Sequence, residues 1–245
     1  MIKVLKKAFV ILEYVRDRRN EPPLLGDIAE KAAMPQPTCS RIVKDLVEME
    51  YLEQCGAKKG FSLGPKAYMM GAGESYRKDL KEIADPLVKK CSEKVQESVL
   101  LAVMNNGKRY ILCHHNGNPE LQIAVDKPYY EDIYTTATGR LLLAFSSEKT
   151  IAGYVSENGF PCEKWANINS ETKLRARLEG IREKGFELDA TRQLVIMAFP
   201  VFNGENMVAA LGCSVPRMNY EGEKGKAVFS SVMKTADNIS KFLDN

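Results

Sequence analysis

Apolar residues recur at helical spacing near the start of the chain. Val4, Leu5, Ala8, Phe9, Ile11, Leu12 and Val15 predict a first amphipathic helix. In the next segment Ile28 and Ala29 form an apolar side, with Asp27, Glu30 and Lys31 turned to water, and Ala29 is small enough for close helix packing. Pro35 cannot continue this second helix, because it lacks an amide donor and restricts the residue before it. Pro37 suits the first turn of a third helix, where its missing N–H has no intrahelical role. In that helix Thr38, Cys39, Ile42, Val43 and Leu46 fall at spacings of three and four, with Cys39, Ile42 and Leu46 the expected core. Gln36, Ser40, Arg41 and Lys44 occupy the opposite face, with Thr38 at its edge. Tyr51-Leu52-Glu53-Gln54 then alternates as a strand, Gly56-Ala57-Lys58-Lys59-Gly60 turns, and Phe61-Ser62-Leu63 returns.

Beyond Gly64-Pro65 the pattern changes. Ala67 to about Ala84 predicts a charge-rich amphipathic helix that links two domains. A new helix is expected over Leu87–Val95, after Asp85-Pro86. Strand patterns cover 98–104, 107–115 and 121–125, with Asn105-Asn106-Gly107 a strong hairpin turn. Helices are expected over 136–145, 147–157, 171–184 and 221–243, and strands over 186–189, 194–202 and 207–215. The expected boundaries are a module at 1–64, a linker helix at 65–84 and a second domain at 85–245. Antiparallel hairpins with helices between them make the fold α+β, without a Rossmann array. The G-x-G-x-x-G, P-loop, H-E-x-x-H and G-x-S-x-G motifs are absent.

Helix, tight turn, helix and hairpin in this order predict a winged helix-turn-helix, which presents one short helix to a DNA major groove. Gln36, Pro37, Thr38, Ser40, Arg41 and Lys44 are its candidate DNA-contacting residues, joined by Lys58 and Lys59 at the hairpin tip. Charge supports this modestly. Residues 1–70 hold 12 Lys and Arg against 9 Asp and Glu, whereas residues 71–245 hold 23 of each. One weakly basic module binds DNA poorly in salt, which argues for a homodimer or homotetramer on double-stranded operator DNA. At 245 residues and 44% hydrophobic content the chain has room for the module and a second domain with its own core. No apolar run reaches the roughly 20 residues of a membrane span, and the N-terminus lacks a signal-peptide pattern, so a cytoplasmic protein is expected.

Six cysteines (39, 55, 91, 113, 162 and 213) form no C-x-x-C pair and predict reduced thiols, several buried. Cys113-His114-His115 is the one local cluster with ligand chemistry. On a strand Cys113 and His115 share a face while His114 points away, so three ligands cannot converge, and neither a metal nor a cofactor is expected. Thr135-Thr136-Ala137-Thr138-Gly139-Arg140 leads into the apolar run Leu141–Phe145. Free amides and hydroxyls at a helix start make a receptor for a carboxylate or phosphate, with Arg140 adding a cation. The same residues also make an ordinary N-cap, with Thr136 or Thr138 capping the helix and binding nothing.

Together these segments resemble the IclR family of bacterial transcriptional regulators over nearly the whole length. The matching marks are Ala29, Pro35, Thr38 and Arg41, the wing Tyr51-Leu52 with Phe61–Pro65, and the block Thr136–Ala144. They continue with Gly185–Asp189, Ala198–Phe202 and the strand ending Gly212-Cys213-Ser214-Val215-Pro216. The resemblance implies a GAF-like effector-binding domain, dimers made largely through the DNA-binding domains, and tetramers in many members. It implies a small organic-acid or aromatic effector, held by Ala137, Thr138 and Gly139 on one side and by Asp189, Ile196, Gly212 and Ser214 on the other. Three features depart from the family pattern. The segment Thr191-Arg192-Gln193-Leu194 is shorter and less acidic than usual, Gly212 lacks a hydroxyl that some members have, and Arg140 replaces a common lysine.

The expected function is ligand-responsive transcription regulation, with no catalytic residues. Two other readings remain: a DNA-tethered enzyme using Cys213 or Cys113 as nucleophile, and a DNA-binding scaffold whose second domain only assembles oligomers.

Overall fold

The structure, a computed structural model, describes residues 2–18, 20–56, 59–70, 76–118 and 129–244. Contacts cluster into two units, residues 1–75 and 76–245. In the first, helices α1 (Lys3–Asp17), α2 (Leu25–Lys31) and α3 (Gln36–Glu48) enclose a core of Ile11, Val15, Ile28, Ala29, Cys39, Ile42, Val43 and Leu46. The Leu24 amide donates to the Asp27 carboxylate at 2.9 Å, so Asp27 closes the start of α2 instead of only facing water. Pro35 caps α3 and Pro37 lies in its first turn, as their missing donors require. Strands β1 (Leu52–Gln54) and β2 (Phe61–Leu63) pair antiparallel with Leu52 opposite Leu63, and Leu52 anchors this wing in the core. Ala57 and Lys58, at the expected tip, lie outside the described residues.

The expected helix from Ala67 to Ala84 is replaced by two elements. Helix α4 (Pro65–Met69) belongs to the first unit, and α5 (Lys78–Val95) belongs to the second. Helix α5 runs straight through Asp85-Pro86, where the sequence suggested a break. Leu80, Ala84, Val88, Cys91 and Val95 keep one buried stripe on both sides of Pro86, and that packing outweighs the single hydrogen bond the proline removes.

The second unit is built on a six-stranded antiparallel sheet. Its strands are β3 (Ser98–Asn105), β4 (Lys108–Asn116), β5 (Tyr129–Tyr130), β6 (Glu187–Ala190), β7 (Leu194–Asn203) and β8 (Asn206–Pro216), in the order β5-β4-β3-β8-β7-β6. The β3–β4 turn has Asn106 at φ 49° and Gly107 at φ 69°, the paired left-handed conformation that a two-residue hairpin needs. The strand expected at 121–125 lies outside the described residues, and the short strand β5 had no clear signal in the sequence.

Two helical layers cover the sheet. On one face α5 and α9 (Gly222–Leu243) pack on Val99, Leu101, Val103, Met197, Phe199, Leu211 and Val215. On the other, α6 (Ala137–Ala144), α7 (Glu148–Asn158) and α8 (Glu171–Lys184) enclose a second core with Ala102, Ala198 and Ala210 of the sheet. This is the α+β arrangement that the alternating and helical periodicities imply. Small residues in the centre of the second face let α6 lie close to the strands.

The turn between α2 and α3 holds Ala33 at φ 47°, a conformation in which its Cβ crowds the backbone. Lys7 Nζ donates to the Ala33 carbonyl at 3.1 Å, and the Met34 amide donates to Ala29 O at 3.1 Å, so the turn is held from both sides. Ala33→Gly is expected to stabilise the protein by about 1 kcal/mol through relief of this conformation. Chemical denaturation checks it, and an unchanged or lower midpoint counts against the strain.

Candidate functional site

Burial of Cys39, Ile42, Val43 and Leu46 sets the rotation of α3. Gln36, Pro37, Thr38, Ser40, Arg41 and Lys44 are consequently all exposed. Among the described residues, Arg41 and Lys44 form no ion pair and the polar side chains of this face form no hydrogen bond. Lys59 is exposed as well, and Lys58 lies outside the described residues. A helix face whose donors are unspent and whose other side is locked into a core can offer those donors to phosphates or base edges.

In the second unit the expected effector residues converge. Strand register places Asp189 opposite Ile196, Ile196 opposite Ser214, and Ser214 opposite Ser98, in one row across the sheet. In the next row Glu187 faces Ala198, Ala198 faces Gly212, and Gly212 faces Leu100. Thr138 from the start of α6 lies on this row, and a Cβ at Gly212 would stand 2.5 Å from its Cγ2. The absent hydroxyl at Gly212 is therefore the space that Thr138 fills.

The two sequence readings of the Thr-rich segment divide by residue. Thr136 is the N-cap, its Oγ1 accepting from the Gly139 amide at 3.1 Å. Thr138 is not a cap: it is buried, and its hydroxyl accepts from Arg109 Nη1 at 3.3 Å. Gly139 is required because a Cβ would run into Thr136 Oγ1 and the Ile133 carbonyl. Ala137 and Thr138 supply the first amides of α6, and neither has an acceptor among the described residues.

Arg140 does not contribute a free cation. Its side chain is buried, with Nε donating to Tyr134 O at 2.6 Å and Nη1 to Asp189 at 2.5 Å and Glu187 at 3.3 Å. Its guanidinium lies 4.9 Å from the centre of the Trp165 ring. Burial pushes the Glu187 carboxyl up from its ordinary value, against the pull of Arg177 and Arg140. Asp189 thus reaches the expected site as a partner of Arg140, with its carboxylate already partly committed.

The sequence reading missed Arg109. It lies on β4, opposite Met104 and Tyr130, and its side chain is buried on the α6 face of the sheet. The available signal was alternation: at Arg109 and Ile111 a charge takes an inward position of a strand.

The cysteines proposed as nucleophiles are poorly suited to that role. Cys113 and Cys213 are buried beneath α5 and α9. Burial, reinforced by Asp85, pushes the Cys113 thiol up to about 12, and burial raises Cys213 well above its ordinary value. His115 pairs with Asp85 at 2.9 Å, and His114 pairs with Ser98 on the opposite face at 2.7 Å. Among the described residues no three His, Cys, Asp or Glu side chains are grouped to hold a metal ion. A cleft of ≈ 510 Å³ lined by Asp132, Tyr134, Tyr154, Phe160 and Lys164 lies apart from the expected effector residues.

An exposed polar recognition helix and a separate sheet domain define a helix-turn-helix regulator with an effector-binding domain. Residues 4–56 match the IclR helix-turn-helix domain, and residues 75–241 match the C-terminal domain of the bacterial transcriptional regulator IclR. The chain belongs to the IclR family. It is 23% identical over 238 residues to the transcriptional regulator KdgR of Dickeya chrysanthemi, covering 96% of this chain and 77% of that one. It is 21% identical over 194 residues to the transcriptional repressor IclR of Escherichia coli, covering 77% and 69%. Both of these relatives are regulators of transcription. Among solved structures, an IclR homologue from Microbacterium hydrocarbonoxydans complexed with 4-hydroxybenzoate superposes with a TM-score of 0.79 at 20% identity, covering 98% of both chains. An IclR regulator from Alicyclobacillus acidocaldarius gives 0.77 at 20% identity over 99% of both. Among the described residues no helix is long and apolar enough to cross a membrane.

The contact between Thr138 and Gly212 can be tested by changing both sides. Gly212→Ala is expected to cost about 1–3 kcal/mol, as overpacking does in a filled site. Thr138→Ser deletes Cγ2 while keeping the hydroxyl, and the double variant should recover most of the loss. A double-mutant cycle in urea measures this; additive losses would show that the two residues do not crowd each other.

Proposed function

We propose that the chain binds a pseudo-palindromic operator as a homodimer or homotetramer and that a small carboxylate-bearing metabolite modulates this binding. The observation that carries the DNA half is the polar face of α3, unpaired among the described residues and backed by a helix side locked into the core. Gln36, Thr38, Ser40, Arg41 and Lys44 are assigned to the groove and its phosphates, with Pro37 setting the helix start. Lys58 and Lys59 of the wing are assigned to the backbone beside it. A soluble cytoplasmic location follows from a chromosomal target.

Arg41→Ala is expected to weaken operator binding by about 1–3 kcal/mol and to relax base preference. Lys59→Ala should instead weaken binding to all sequences and reduce the slope of log K against log salt by about one. Footprints and salt titrations separate the two, and an unchanged footprint for folded Arg41→Ala places another helix in the groove.

For assembly, α1 exposes Leu5 and Phe9, and its N-cap residue Ile2 continues their spacing of three and four, at 53%, 52% and 72% of their surface. An amphipathic helix with a second apolar stripe left in water fits a subunit contact in the DNA-binding module. Phe9→Asp is expected to shift the protein toward monomer in sedimentation and to lower operator affinity at least tenfold. A variant that sediments like the wild type removes α1 from the interface.

The effector is assigned to the row of Asp189, Ile196 and Ser214 and to Gly212 in the row beside it, together with Ala137, Thr138 and Gly139. The fold neighbour complexed with 4-hydroxybenzoate, an aromatic acid, supports this class of ligand. Such a ligand changes DNA binding only by favouring one arrangement of the protein over another. The high-lying thiols of Cys113 and Cys213 favour this reading over an enzyme.

A further inference from the structure

The α6 face of the sheet buries two guanidinium groups, and they differ in one respect. Arg140, 3% exposed, has two carboxylates and a carbonyl around it. Arg109, 5% exposed, forms no ion pair among the described residues. Among the described residues its only hydrogen bond runs from Nη1 to the Thr138 hydroxyl at 3.3 Å, and its buried Nε has no partner there. The Tyr130 ring, 4.8 Å away, supplies weak attraction but no negative charge.

A buried cation without an anion is unfavourable, and it persists where a ligand completes it. The group beside Arg109 is itself a receptor for negative charge. The amides of Ala137 and Thr138, at the start of the eight-residue helix α6, have no acceptor among the described residues. Both donor sets meet at Thr138, whose hydroxyl bonds Arg109 and whose amide lies in the first turn. Around them Tyr130, Leu100 and Met104 are half-buried, leaving apolar surface for the body of a ligand.

We propose that Arg109 is the charge-pairing residue of the effector site and that its ligand is a carboxylate, held between the guanidinium edge and the first amides of α6. This rests on the effector reading above and deepens it by naming the residue that selects an anion. A planar carboxylate accepts from two guanidinium N–H groups in parallel, a match that a neutral amide of the same shape lacks. Desolvation already lowers the Arg109 pKa from its ordinary value, in the direction expected of a cation short of an anion.

The test uses full-length protein, thermal shift and calorimetry. Its probes are sodium 4-hydroxybenzoate, benzoate, pyruvate and glyoxylate, each compared with its neutral amide. At least one acid should raise the melting temperature of the wild type while its amide does not. Arg109→Gln should lower affinity for that acid at least thirtyfold, with Arg109→Lys intermediate. Without any probe, Arg109→Met should melt at or above the wild type, because it removes an uncompensated charge. A lower melting temperature for that variant, or no acid binding to the wild type, overturns the proposal. An acid whose affinity falls in Thr138→Val and Ser214→Ala but not in Arg109→Gln overturns the role of Arg109 and leaves the effector site in place. An acid unaffected by all of these changes overturns both.

Discussion

The arrangement of the second domain depends on Arg140. From the first turn of α6 its guanidinium reaches the Tyr134 carbonyl, Glu187 and Asp189, and it lies over Trp165. Arg177 approaches Glu187 at 3.2 Å and the same ring at 5.6 Å, so two cations share one buried carboxylate. An exposed ion pair contributes about 0–1 kcal/mol, whereas breaking a buried one by removing a single partner costs about 3–5 kcal/mol. The network is consequently a strict positional constraint: α6 cannot turn or slide against β6 without stranding a charge. The placement of Thr138 over Gly212, and with it the direction of the first α6 amides, follows from that constraint.

The two buried arginines divide the electrostatic work of the site. Arg140 is saturated by protein groups and holds the scaffold. Arg109 has spare donors and, among the described residues, no counter-charge, and so its environment is suited to a ligand. Equal burial with unequal partnering separates a structural cation from a recognition cation here; exposure alone would have classed them together. Asp189 belongs with Arg140 in this division, which lowers the negative charge it would otherwise present to an acid.

Much of this was legible in the sequence where a local rule was strong. Both prolines around α3, its buried stripe at Cys39, Ile42 and Leu46, and the Asn106-Gly107 turn follow from local chemistry, and the structure contains each of them. The effector row was legible through resemblance: alternation puts Ile196 and Ala198, or Gly212 and Ser214, on one face, but it does not say which strands are neighbours. The helix through Pro86 went unread because a proline is a strong local signal against a helix. The stripe that overrides it needs the sheet beneath.

By itself the sequence determined the winged helix-turn-helix, the α+β class of the second domain and the hydroxyl-rich helix start. Each depends on neighbours within a few residues or on a period that one element carries alone. Tertiary structure decided what each buried charge meets. Glu187 and Asp189 lie 47 and 49 positions from Arg140, and Thr138 lies 29 from Arg109. Desolvation and pairing are set by whatever packs around a group in space. Two arginines that look alike in sequence therefore became a scaffold tie and a donor with no ion pair among the described residues.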